Sequence, residues 1–221
     1  MDIPTAIAAI AALGVAAQGL VDSSKFVNGG ISRAGFAYIH DALSPFTAAL
    51  AVANGKAPLA LVEANWINGV AKSEQKQTTL DMIRLGLTST TASALAAGID
   101  AIDGTSLAAV AAKLERGTAL SEEELALLAR FDSVIDIRLS AAYERAEQYF
   151  RNSAKVAAGA VAIVLSLVVS LSSPGIIGTT GAQEWLVAIL IGLIAVPIAP
   201  VSKDLTSALA STVRALKLGK A

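Results

Sequence analysis

Residues Ala154 to Ser173 read AKVAAGAVAIVLSLVVSLSS, and nothing from Val156 onward carries a charge. At 1.5 Å per residue those eighteen residues span about 27 Å, close to a hydrocarbon core of ~30 Å. A second stretch, Trp185 to Val201, reads WLVAILIGLIAVPIAPV. Trp185 stands where an interfacial aromatic would sit, and Lys203 and Asp204 lie just past the other end. Pro197 and Pro200 are expected to kink or end that helix near its charged side. The competing reading is a buried hairpin in a water-soluble protein. It fares worse because apolar runs of this length cover every face of a helix.

The composition points the same way. Counting Gly and leaving out Tyr, about 60% of the 221 residues are apolar, against roughly 45–50% in soluble domains. Only 16% are charged and 5% aromatic, so much of the apolar count is Ala, which suits closely packed helices. Lys and Arg number 17 against 18 Asp and Glu, a net charge of −1 that offers no polycationic surface to nucleic acid. With no Cys and one His, disulfides, thiolate metal sites and multi-His sites are excluded. The expected fold class is all-α. A helical integral membrane protein would have an N-terminal transmembrane helix in 1–21, a cytoplasmic helical domain in 22–155, a two-helix transmembrane hairpin in 156–201 and a basic amphipathic tail in 202–221.

The first of these segments has the smallest apolar drive. Ile3 to Val21 is uncharged, but seven of its residues are Ala, Gln18 is polar, and Gly14 and Gly19 add little hydrophobicity. An interfacial or domain-packed helix is one alternative. A signal peptide is another, although Met-Asp-Ile-Pro lacks a basic leader. Orientation follows from Lys and Arg, which cytoplasmic flanks retain. The link from Ser172 to Glu184 has none, whereas Arg138, Arg145, Arg151 and Lys155 precede the hairpin and Lys203, Arg214, Lys217 and Lys220 follow it. Both flanks are therefore expected in the cytoplasm, as in a bacterial inner membrane, with the Pro174-Gly175 link outside. Lys25 and Arg33 behind the first segment agree.

Residues 22–155 carry 13 basic and 15 acidic side chains and read as water-facing helices. Ser44-Pro45 is expected as N-cap and N1, Asn54-Gly55 as a stop, and Pro58 as another N1. Leu59, Val62, Trp66 and Val70 share one helical face, Leu80, Ile83 and Leu87 repeat it, and a short helix is expected between Thr105 and Gly117. Ser121 and Glu124 have the spacing of a capping box. No Pro or Gly follows until Gly159, so one helix is expected from Ser121 to Leu171, about 77 Å long. A break near Asn152-Ser153 is the alternative. Phe131, Ile135, Leu139, Ala142, Ala146 and Tyr149 should form its apolar side, with Glu147 and Arg151 as an i, i+4 pair. After Val201, Leu205, Leu209, Val213 and Leu216 form a face suited to a headgroup surface.

Ala154, Ala158, Ala162, Ser166 and Ser170 recur every fourth residue, and Ala188 with Gly192, and Ala195 with Ala199, give small surfaces on the other span. Such ridges let helix backbones approach in lipid, within a hairpin or between copies. Trp185, Lys203, Arg214, Lys217 and Lys220 are the candidate interface residues. The two spans hold no ionisable residue, which argues against an ion-coupled transporter. His40-Asp41 lacks a second catalytic group, Asp100 to Gly104 lacks the order of a calcium loop, and Asn28-Gly29-Gly30 lacks a phosphate-loop Lys. Trp66 and Asn68 could line a pocket, though Trp66 falls on the core stripe. No catalytic, cofactor or metal site is expected, and the chain reads as a non-enzyme. The reading favoured is a membrane-anchored adaptor or scaffold whose partners are the lipid bilayer and another protein or further copies, without nucleic acid or metal. The alternative is a pore-forming helical hairpin.

Overall fold

The computed structural model describes residues 3–24, 27, 29–99, 101–172 and 181–218, with only the backbone for 3, 4 and 201–218. The helices are α1 (Ile3–Ser23), α2 (Phe36–Leu43), α3 (Thr47–Asn54), α4 (Ala60–Asn68), α5 (Lys72–Leu85), α6 (Ala92–Ala97), α7 (Gly104–Glu115), α8 (Glu122–Ser172) and α9 (Ala182–Leu218). No strand occurs among the described residues. Two compact units result: Ser32–Phe150, and Met1–Ile31 together with Arg151–Ala221. Helix α8 contributes its first part to one and its last part to the other.

The core of Ser32–Phe150 gathers the apolar faces of short helices against the start of α8. Ile39, Leu43, Phe46, Leu50, Ile83, Leu95 and Leu107 are fully buried there, as are Phe131, Ile135 and Ala146 of α8. The capping box forms as the sequence spacing implies. The Ser121 N–H donates to Glu124 Oε2 at 2.8 Å, and the Glu124 N–H donates to Ser121 Oγ at 3.3 Å, so donors left open by the first helical turn are satisfied. Lys113 adds an ion pair to Glu124 at 2.7 Å.

Charged side chains fasten α5 along α8. Lys72 reaches Glu144 at 2.5 Å and Glu147 at 3.3 Å, Lys76 reaches Asp136 at 2.9 Å, and Arg84 grips Asp132 through two bonds of 3.0 and 2.8 Å. As α5 advances its partners on α8 recede, so the helices run antiparallel. Beneath this row lie buried Gln75, Thr79 and Tyr143. Gln75 Nε2 donates to the Val70 carbonyl at 2.5 Å and Thr79 Oγ1 to the Gln75 carbonyl at 2.8 Å.

Several local expectations need correction. Ser44 is not an N-cap but the C-cap residue of α2: its N–H and its hydroxyl, the latter at 2.8 Å, both donate to the Asp41 carbonyl, and Ser44–Phe46 forms a 3-10 turn between α2 and α3. The stop at Asn54-Gly55 is as expected, but Pro58 lies in the turn ahead of α4. Helix α4 ends before Val70 because Gly69 takes a left-handed conformation with φ of 68°, accessible without a Cβ. Helix α7 falls where a short helix was expected, and Asp103 caps it, its carboxylate accepting from the Ser106 N–H at 2.7 Å. Tyr149 is exposed and stacks edge-on with Tyr38, while Tyr143 takes the buried place on α8.

Long apolar helices dominate the other unit. Thr5–Ser23, the apolar part of α8 and Ala182–Pro200 reach mean hydropathies of 1.6, 2.2 and 2.0, long and apolar enough to cross a membrane. The stretch Gly30–Asn54 reaches 1.2. It is divided by the Ser44–Phe46 turn into helices of 8 residues each, about 12 Å apiece and too short to span. Helix α8 runs unbroken through Asn152 and Ser153.

Neither Pro197 nor Pro200 ends α9, which continues to Leu218 and absorbs the separate tail helix. Both prolines are exposed while Ala195, Val196 and Ala199 face inward. The lost N–H bonds therefore lie on the outer side, away from the packed face. The link 173–180, with Pro174 and Gly175, lies outside the described residues.

Candidate functional site

The helix interface of this second unit is built almost wholly from small residues. Ala158, Ala162, Ser166 and Ser170 of α8 are buried, and Ala154 is half-buried at the start of the row. On α9, buried Ala188 and Gly192 lie against α8, while buried Ala195 and Ala199 lie against Gly14 of α1. Helix α1 presents Ala11, Gly14, Ala17 and Val21 on one stripe. Ala17, Val21, Ala158, Ala162, Ala195 and Val196 belong to one packed cluster, so all three helices share it.

Backbones touch at two glycines. A Cβ at Gly192 would stand 2.5 Å from Ile163 Cα, and one at Gly14 would stand 2.1 Å from the Ala195 carbonyl oxygen. Ser166 Oγ donates to the Ala188 carbonyl at 2.6 Å inside this interface. Pairs 163 with 192 and 166 with 188 run in opposite senses, which makes α8 and α9 an antiparallel hairpin. Gly14 is the residue that sequence reading passed over, treated as a weakness of the first segment. Its signal was available as the stripe of small residues Ala11, Gly14 and Ala17.

Many of the large apolar side chains of the same helices point outward. Val164, Val168, Leu171, Leu186, Leu190 and Leu193 are each more than half exposed, as are Val15 and Leu20 of α1. Trp185 is 47% exposed in the first turn of α9. Glu184 beside it is buried, where the free N–H groups and positive end of the helix favour a carboxylate. Of the other interface candidates, Lys203, Arg214 and Lys217 have a helical backbone with side chains outside the described set, and Lys220 lies wholly outside it.

Where α1 ends, Gln18, Val21, Asp22, Ala154, Lys155, Ala158 and Val196 line a cleft of about 220 Å³.

The remaining sequence candidates are not brought together. His40 Nδ1 lies 3.4 Å from Asp41 Oδ1 on an exposed surface. No group of three His, Cys, Asp or Glu that could hold a metal occurs among the described residues. Trp66 donates from Nε1 to the Ser32 carbonyl at 2.7 Å and packs on the Tyr143 and Phe150 rings, as a core residue would. Asn68 is exposed at the end of α4. Asn28 and Asp100 lie outside the described residues.

Comparison with protein-family models, curated proteins and solved structures finds no match for this chain.

Proposed function

We propose that this chain is an integral membrane protein, crossing the bilayer with α1, the apolar part of α8 and α9, and acting as an anchored adaptor or scaffold. The observation that carries the membrane reading is the inverted size order of the helix unit, with Ala, Gly and Ser filling most buried positions, Val21 and Val196 apart, and many of the larger Leu, Val and Ile side chains outside. In water, burying a Leu or Val side chain is worth about 1.5–3 kcal/mol, so a soluble bundle would turn its helices the other way. In lipid that gain vanishes and close backbone contact decides the packing.

The lysine and arginine distribution supports a cytoplasmic placement for Ser32–Phe150 and for the C-terminal end of α9, as in a bacterial inner membrane. The helical domain would bind a protein partner or further copies of the chain. Confinement to the membrane would raise their effective concentration, as tethering does. A pore draws less support, because the interface is filled by small apolar groups and the Ser166 hydroxyl is spent on the Ala188 carbonyl.

Four measurements test the proposal. A single cysteine at Thr179 should react with an impermeant reagent only from the non-cytoplasmic side. Cross-linking of the full chain in its native membrane should capture a recurrent protein partner or the chain itself. A chain that stays monodisperse in buffer without detergent overturns the membrane reading. Solute flux through liposomes at low protein density would favour the pore.

A further inference from the structure

The cleft where α1 ends combines opposite charges with apolar walls. Asp22 and Lys155 line it together, with Gln18 as the third polar side chain and Val21, Ala154, Ala158 and Val196 as the apolar wall. All seven residues belong to one compact unit. Asp22 follows the uncharged run of α1 and Lys155 precedes that of α8. Their sharing one cleft puts these two charged ends at the same level. On the membrane reading, which this inference deepens and on which it rests, that level is the boundary between headgroups and acyl chains.

Neither charge is satisfied by the protein as described. Among the described residues, Asp22 and Lys155 have no ion-pair partner, each other included. Asp22 stands in the last turn of α1, which contains no basic residue. A helix C-terminus carries partial negative charge from its open carbonyls, so a carboxylate there is unfavourable and a cation is favoured. Lys25, the next basic residue along the chain, lies outside the described residues. The cleft therefore calls for a cation beside Asp22 and an anion beside Lys155. Its two charged side chains sum to zero.

We infer that the cleft bounded by Gln18, Asp22 and Lys155 binds the headgroup of a zwitterionic aminophospholipid, of the phosphatidylethanolamine class. The lipid phosphate pairs with the Lys155 ammonium and accepts from the Gln18 amide. The primary ammonium of the lipid donates to the Asp22 carboxylate. An acyl chain continues along Val21, Ala158 and Val196. A choline headgroup brings the same formal charges but no N–H, so it cannot donate to Asp22. A phosphatidylglycerol headgroup supplies the phosphate but no cation.

The test uses the full chain in detergent with an equimolar mixture of phosphatidylethanolamine, phosphatidylcholine and phosphatidylglycerol, the retained lipids being read by native mass spectrometry. The ethanolamine lipid should be retained about fivefold over the choline lipid, the scale of a partly exposed ion pair. Asp22→Asn should abolish that preference while leaving phospholipid retention in place. Lys155→Gln should lower retention of all three. Both positions are exposed, and unchanged melting in detergent without added phospholipid establishes that each variant is folded. Equal retention of ethanolamine and choline lipids by the wild type overturns the inference, as does a preference that survives Asp22→Asn. Displacement of the lipid by free phosphoethanolamine at equal concentration overturns the assignment to a lipid. These failures differ from failure of the membrane reading, which would appear as a monodisperse chain without detergent.

Discussion

Gly14 of α1 lies against the backbone of Ala195 in α9, so close that a Cβ on the glycine would stand 2.1 Å from the alanine carbonyl oxygen. No side chain can occupy that space without separating the helices. Gly19, one turn and a residue further along α1, has nothing within 4 Å of the same construction. The pair separates packing from helix propensity. Gly14→Val is expected to destabilise the helix unit by about 1–3 kcal/mol, the range for forced overpacking. Gly19→Ala should leave stability unchanged or raise it by about 0.5–1 kcal/mol through the lost flexibility of glycine. Denaturation of the full chain in mixed micelles measures both. Equal effects at the two positions would refute the close contact.

Ser166 makes a prediction of a different kind. Its hydroxyl donates to the Ala188 carbonyl at 2.6 Å in a buried, otherwise apolar interface. Ser166→Ala keeps the small volume and removes the bond, so it should cost about 1 kcal/mol. Ser166→Leu adds bulk against α9 and should cost more. If the two variants are equally mild, Ser166 does not sit between the helices.

The division between what was legible in the sequence and what was not follows the range of each interaction. The continuous α8, its capping box and the small residues on its every-fourth-residue row depend on spacing within one helix, and spacing is visible in a sequence. That α9 does not end at Pro197 or Pro200 depends on which of its sides packs, and that is a tertiary fact. Gly14 was undervalued because hydrophobicity scores a glycine by what it lacks, whereas its use lies in how near another helix can come. The ion pairs of Lys72, Lys76 and Arg84 with α8 join residues 48 to 75 positions apart, and no local pattern announces them.

The capping box gives the domain a pH signature. The Lys113 ammonium, followed by the Ser121 N–H, holds the Glu124 carboxyl below the usual glutamate range, and the Ser106 N–H does the same for Asp103. A carboxylate lowered on folding contributes stability above its unfolded value, about 4.3 for Glu and 3.9 for Asp. That contribution is lost as pH falls through the lower folded value. The melting temperature of the full chain should therefore drop as pH is taken below about 4.3. Glu124→Gln should be less stable at neutral pH and show a shallower acid limb. Ser121→Ala should cost about 1 kcal/mol across the range, as loss of a cap does. An acid limb identical in Glu124→Gln and wild type would remove Glu124 from the account.

Tyr143 combines full burial with a hydroxyl that has no hydrogen-bond partner among the described residues. Burial pushes the phenol above its ordinary value, with the Thr79 side chain pulling the other way. An unpaired buried hydroxyl costs its desolvation without return, while the ring around it supplies packing against Trp66 at a centroid distance of 6.3 Å. The two contributions are separable by substitution. Tyr143→Phe keeps the ring and removes the unpaired group, so stability should hold or rise. Tyr143→Ala removes the ring and should cost about 3–5 kcal/mol, as aromatic truncation in a core does. The alkaline limb distinguishes them further. A phenol raised on folding is kept neutral by the native state, so its ionisation takes nothing from stability below the unfolded value near about 10, and stability falls as pH rises from there through the folded one. Tyr143→Phe should therefore melt at a higher temperature relative to wild type as pH is raised past about 10. A clear destabilisation of Tyr143→Phe at neutral pH would mean that the hydroxyl is paired, with Thr79 the first partner to test by a double-mutant cycle.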